Sequence, residues 1–106
     1  MQTPEQRLTK EIMLYCSAKN WLCFHQNVGT IKTNDNRYVR TGLPKGWPDL
    51  LIITDKGQAL FCETKIHPRK ISCEQEHMLK ILCKRGFLAF VAYSLEEFIE
   101  KTEKVA

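Results

Sequence analysis

The tripeptide Asp55-Lys56-Gly57 stands between two apolar runs, DLLIIT at 49–54 and QALFCETK at 58–65. A three-residue loop of this composition makes a type I turn with glycine in the left-handed position and closes an antiparallel hairpin. The flanking residues Thr54 and Gln58 then pair, and their numbers sum to 112. Antiparallel partners keep that sum, so Asp49 is set opposite Glu63. Their Cβ atoms are expected about 4.5–5.5 Å apart. Lys65, two residues past Glu63, lies on the same face. A slip of one residue puts the acids on opposite faces, so the arrangement hangs on this one register.

Two carboxylates held side by side repel each other. A divalent cation offsets that repulsion and takes both oxygens as hard ligands. Mg²⁺ or Mn²⁺ so bound acidifies a water and polarises a phosphoryl oxygen. A lysine alongside stabilises developing negative charge or orients the attacking water. Acid, acid and lysine on one face therefore suggest metal-assisted phosphodiester hydrolysis. A solvated strand face with acid–lysine neighbours is the other reading, and spacing alone leaves both open.

The remaining pattern builds an α/β domain around this hairpin. A helix is predicted from Thr3, with Thr3 as cap, Pro4 at the first position and Glu5 at the positive end of the dipole. Leu8, Ile12, Tyr15 and Cys16 recur at helical spacing and mark its buried stripe. Glu5 falls on that stripe, either as a first-turn acid or as part of a site. Trp21–Asn27 reads as a short strand. Lys32, Arg37, Arg40 and Lys45 alternate with Thr, Asn and Gly around the turn TNDN at 33–36, giving a small hairpin with flanks Gly29–Lys32 and Arg37–Arg40. That hairpin is either a solvated loop or a phosphate-contacting arm.

Strands Asp49–Thr54 and Gln58–Lys65 follow, and then a helix capped by Ser72 with Gln75 at capping-box spacing. Its apolar face is assigned to Met78, Leu79, Ile81, Leu82 and Cys83, and Gly86 is its left-handed stop. Phe87–Tyr93 reads as a strand buried on both faces. Ser94 and Glu97 cap a last helix, Leu95 to about Glu103. The order α-β-(hairpin)-β-β-α-β-α specifies an α/β sandwich around a small mixed sheet.

The chain of 106 residues is expected to be one domain, 1–106. A formal charge of +4 permits a nucleic-acid partner. The five cysteines, 16, 23, 62, 73 and 83, are odd in number and lack C-x-x-C spacing. They are read as reduced thiols of a cytoplasmic protein without a signal peptide, several of them in the core. No apolar run approaches the ~20 residues of a membrane span, so a membrane protein is not expected.

The ordered set GWPDLLI, GQALFCETK and ISCEQ resembles the VRR-NUC (virus-type replication-repair nuclease) domain of the PD-(D/E)XK nuclease superfamily. Pro48-Asp49-Leu50 matches the small-residue–Pro–Asp–Leu strand, Gly57 the turn, and Glu63-Thr64-Lys65 the Glu-x-Lys. Ser72 and Gln75 match the Ser-x-x-Gln helix start. Glu5 stands where the family has an acid one turn before its apolar stripe. His25–Gly29 resembles an Arg-x-Asn-x-Gly segment, with His25 departing from the usual Arg.

The resemblance spans roughly residues 4–95 and implies the restriction-endonuclease-like α-β-β-β-α-β core. It implies a Mg²⁺- or Mn²⁺-dependent DNA endonuclease. Asp49 and Glu63 become metal ligands, with the Thr64 backbone carbonyl a further ligand and Glu5 completing the shell directly or through water. Lys65 becomes the catalytic lysine. Gln75 is a helix cap or an amide orienting Lys65 or the scissile phosphate. Asn27 and Gly29 border the site. Lys32, Arg37, Arg40, Lys45, Arg69 and Lys70 are candidate phosphate contacts. Trp47 is expected to pack, and His67 and His77 to lie on the surface. Stand-alone relatives of this size, often phage-encoded, look like homodimers acting on branched or structured DNA in replication, recombination or repair, in the host cytoplasm if phage-encoded. The rival is a non-catalytic nucleic-acid-binding module or subunit that kept the nuclease fold.

Overall fold

The chain opens with α1, Pro4–Ala18, whose first turn is fixed by a reciprocal cap. Thr3 Oγ accepts from the Gln6 amide at 3.1 Å, and Gln6 Oε1 accepts from the Thr3 amide at 2.9 Å. Two otherwise orphaned donors are thereby satisfied. The computed structural model describes residues 2–26, 30–40 and 42–105, with backbone alone at 30, 31 and 105. Asn27 and Gly29, expected to border the site, lie outside the described residues.

Then come β1 (Leu22–His25), β2 (Thr30–Lys32), β3 (Tyr38–Arg40), β4 (Leu50–Ile53) and β5 (Ala59–Thr64). They are followed by α2 (Cys73–Lys84), β6 (Leu88–Ala92), α3 (Leu95–Thr102) and a closing 3₁₀ turn, Glu103–Val105. The main sheet has the order β1-β4-β5-β6; the first two pairings are antiparallel and β5 runs parallel to β6. β2 and β3 form a separate two-stranded sheet.

The expected register holds. Leu50 pairs with Cys62 and Ile53 with Ala59, each pair summing to 112. Thr54 donates to the Gln58 carbonyl at 2.9 Å, and Gly57 takes φ +83° in the turn, a conformation open to glycine at no steric cost. The pairing ends at Leu50 and Cys62, and Asp49, the next residue, has its carboxyl within hydrogen-bonding reach of Glu63.

Strand alternation sorts the core into two layers. Leu50, Ile52, Leu60, Cys62, Phe90 and Ala92 point to one face and pack on Leu8, Ile12 and Cys16 of α1 and Phe98 of α3. Phe61 and Ala89 point to the other and pack on Leu79 and Leu82 of α2. Each fully buried Leu or Ile contributes about 1.5–3 kcal/mol of apolar transfer. β6 carries apolar side chains on both faces because α3 covers one and α2 the other. Trp47 packs edge-on to Phe61, as expected, with ring centroids 5.5 Å apart.

Cys83 departs from the expected apolar face of α2. It is exposed, and its thiol donates to the Ala89 carbonyl at 3.3 Å. Leu79 and Leu82 are the buried residues of the helix, packed on Phe61 and Ala89, and Cys83 lies at the margin of that stripe, against the β6 backbone. All five cysteines are free thiols, with Cys16 and Cys62 in the core. No described helix is long and apolar enough to cross a membrane.

Candidate active site

The site forms where β4 begins and β5 ends. Glu63 is the last residue but one of β5, and its odd-numbered position directs it to the α2 face of the sheet. It is 1% exposed. Its Oε1 accepts from Gln75 Nε2 at 2.9 Å, while Oε2 is buried and meets no donor. Burial first, then the Asp49 carboxyl within hydrogen-bonding reach and its charge, push the Glu63 pKa up to about 9. The Lys65 ammonium pulls the other way, and Glu5 adds a smaller upward push.

Gln75 makes two contacts, one in the helix cap and one to Glu63. Its Oε1 accepts from the Ser72 amide at 2.8 Å, which closes the α2 capping box with Ser72 Oγ on the Gln75 amide at 3.1 Å. The other end of the same side chain, Nε2, holds Glu63. It therefore contacts the acid rather than Lys65.

Asp49 is positioned from the opposite face. Its Oδ2 accepts from the Thr64 amide at 3.2 Å and the Thr64 hydroxyl at 3.1 Å. Behind Thr64, the Thr9 hydroxyl of α1 lies 3.3 Å from the Thr64 hydroxyl. Both threonines are buried. Sequence reasoning missed this support. The available signal was Thr9 on the apolar stripe, one turn after Glu5 and next to Leu8.

Gly46 was missed as well. It adopts φ +90°, and a Cβ there would meet the Glu74 carbonyl oxygen at 2.4 Å. Only glycine lets the chain before Trp47-Pro48 press on the backbone at the start of α2. That contact sets the strand carrying Asp49 against the helix carrying Gln75.

Around Asp49 opens a cleft of about 790 Å³ between the first turns of α1 and residues 66–69. Glu5, Thr9, His25, Asp49, Thr64 and Arg69 line it. Glu5 pairs across it with Arg69 at 3.7 Å. Glu5 is thus beside the acid pair but engaged elsewhere. Among the described residues, no three His, Cys, Asp or Glu side chains converge as a ready-made metal cage.

The six candidate phosphate contacts divide into two groups. Arg37, Lys45 and Arg69 are ion-paired, with Asp35 at 2.9 Å, Glu74 at 3.4 Å and Glu5 at 3.7 Å. Lys32, Arg40 and Lys70 are exposed and make no ion pair among the described residues. His67 and His77 are exposed, and the His67 ring stacks on Tyr93 at 4.1 Å.

Asp49, Glu63, Lys65 and Gln75 thus gather at one end of the sheet, with Thr64 behind the first and Glu5 across the cleft. Acids held next to a lysine, with one carboxylate oxygen left without a donor, suit a divalent cation and a phosphate ester. The model of the VRR-NUC domain matches residues 3–96. A solved structure of a VRR-NUC domain superposes with a TM-score of 0.71 at 25% identity, covering 97% of this chain and 97% of that one. A search of the curated proteins finds no match. With the family model spanning nearly the whole chain and a solved VRR-NUC domain sharing its fold, this chain belongs to the VRR-NUC domain family.

Proposed function

We propose that the chain is a Mg²⁺- or Mn²⁺-dependent DNA endonuclease that hydrolyses phosphodiester bonds in branched or structured DNA. The observation carrying this reading is the orphaned Glu63 Oε2, buried beside a second carboxyl with no donor. An unpaired buried acid is expensive, and here one oxygen is held by Gln75 while the other lies beside the Asp49 carboxyl without a donor. The residues therefore fit a cation held by Asp49 and Glu63, with the Thr64 carbonyl and Glu5, directly or through water, as further contacts. Such a cation, when bound, supplies a Lewis acid for the phosphoryl group and an acidified water.

The chain's own residues do the rest. Gln75 keeps Glu63 in one rotamer, and Thr64 with Thr9 behind it keeps Asp49 in another. Lys65, half-buried on the same face, stabilises negative charge developing on the phosphate or orients the attacking water. Lys32, Arg40 and Lys70, exposed and without ion pairs among the described residues, hold the backbone of the substrate and set its salt dependence, and Arg37, Lys45 and Arg69 join them only by leaving Asp35, Glu74 and Glu5. A non-catalytic binder gains nothing from adjacent carboxylates near phosphates.

Preference for branched DNA and a two-chain assembly rest on the family resemblance. The second has a candidate surface: Leu22 and Phe24 of edge strand β1 are 58% and 47% exposed. The five free thiols support a cytoplasmic location.

A cleavage panel of four-way junctions, flaps, duplex and single strands in Mn²⁺ tests the proposal. Asp49→Asn and Lys65→Ala should each abolish cleavage with the circular dichroism spectrum unchanged. Undiminished cleavage by both variants refutes it. Light scattering reads the assembly.

A further inference from the structure

We infer that one face of the β2–β3 ribbon, carrying Lys32, Tyr38 and Arg40, is a stacking platform for unpaired bases of the DNA strand that enters the site. The inference rests on the proposed nuclease function and adds to it a substrate feature, an unstacked arm.

Lys32 pairs with Tyr38 across the ribbon. Cross-strand partners share a face, and Arg40, two residues on, shares it too. The Tyr38 side chain is 70% exposed. A ring that could bury 150–250 Å² is left in water. The ribbon joins no other strand of the described sheets, and an isolated two-stranded hairpin is marginal in water. It is nonetheless held stiff at its turn. Thr33 donates to the Arg37 carbonyl at 2.7 Å, the Arg37 amide donates back to Thr33 Oγ at 3.1 Å, and the Thr33 hydroxyl and Arg37 side chain both bond Asp35. A stiff ribbon presenting an open ring is preorganised for something flat.

Charge selects what that is. Arg37 is neutralised by Asp35, whereas Lys32 and Arg40 flank the ring without ion pairs among the described residues. An aromatic ring sharing a face with two cations, one across the ribbon and one along the strand, matches a base on the ring with phosphates beside it. A second copy of this chain, itself carrying +4, is repelled from this face. Bases in a continuous duplex have their faces covered, so the ring serves only a strand with a splayed or single-stranded segment.

Placement links the platform to the site. The residue following β1, Gln26, donates to the Asp49 carbonyl at 2.7 Å, and the Trp47 indole donates to Gln26 Oε1. On the other side, Gly46 presses on the Glu74 carbonyl next to Gln75. Gln26, ahead of the ribbon, and Gly46 and Trp47, after it, are thus tied to the end of the sheet where the acids stand.

The test uses the full chain carrying Glu63→Gln, which removes cleavage from the readout. The probes are a blunt duplex and the same duplex with a splayed arm holding 2-aminopurine. Adding Tyr38→Ala should weaken splayed-arm binding roughly five- to hundredfold, the range for losing one stacked base. Blunt-duplex binding should change less than about twofold, on the same stacking argument. The 2-aminopurine quenching should vanish, and Tyr38→Phe should restore it. Lys32→Ala with Arg40→Ala should weaken both probes and flatten the salt dependence. Equal loss on both probes, no loss on either, or a loss of self-association with DNA binding intact overturns the inference. If the unmodified chain cuts nothing in Mn²⁺ yet Tyr38→Ala still loses the splayed arm, the nuclease reading fails and the platform stands.

Discussion

Glu63→Gln should make the metal-free protein more stable while removing its activity. Glu63 is buried, with its pKa pushed up to about 9 from an ordinary 4.5. Between those values the folded chain binds a proton that the unfolded chain has released. Stability contributed here therefore falls as pH rises from about 4.5 toward 9. Keeping that proton near neutrality costs ~3 kcal/mol, and about 1 kcal/mol one unit above the ordinary carboxyl value. Glutamine needs no proton. It offers Asp49 a permanent donor and keeps an oxygen for Gln75 Nε2. In EDTA at pH 7 the variant should gain up to ~3 kcal/mol, and each kcal/mol raises Tm by about 4–8 °C in a domain this size. Thermal melts followed by circular dichroism from acid to neutral pH read the offset, which should widen as pH rises. Added Mn²⁺ should stabilise the unmodified chain and leave the variant where it was. A variant that melts at or below the unmodified chain in EDTA, or an offset that does not grow with pH, refutes the account of Glu63.

Three other substitutions probe the supports. Gly46→Ala adds a Cβ 2.4 Å from the Glu74 carbonyl at a positive φ, and should cost at least ~2 kcal/mol by urea unfolding. Gln75→Ala removes one hydrogen bond of the α2 cap, ~1 kcal/mol, and frees Glu63, so cleavage should fall more than the modest Tm loss suggests. Thr64→Val removes the hydroxyl donor to Asp49 while keeping volume, and should lower cleavage and weaken Mn²⁺ binding by calorimetry.

Local chemistry made much of this fold readable in advance. Thr3-Pro4, Ser72…Gln75 and Ser94…Glu97 mark helix starts because caps act within three residues. Asp55-Lys56-Gly57 sets the β4–β5 register, which puts Asp49 near Glu63, because a tight turn leaves antiparallel strands one alignment. The hidden parts join distant segments. Gln75 on Glu63, Thr9 behind Thr64 and Gly46 against Glu74 depend on how helices seat on the sheet. Cys83 misled for the same reason: periodicity gives the apolar side of α2 but not how far the sheet extends beneath it.

The dual engagement of Gln75 has an evolutionary consequence. One side chain answers two selective pressures, with its oxygen serving the helix and its nitrogen serving the acid. Gln75→Glu satisfies a capping box as well as glutamine does, and a screen scored on helix formation alone accepts it. The same change turns the donor facing Glu63 into a third carboxylate, and a screen scored on turnover rejects it. Asparagine is too short to serve both masters. Position 75 is pleiotropic, and drift there is restrained even if every neighbour on the exposed face of α2 is free to vary.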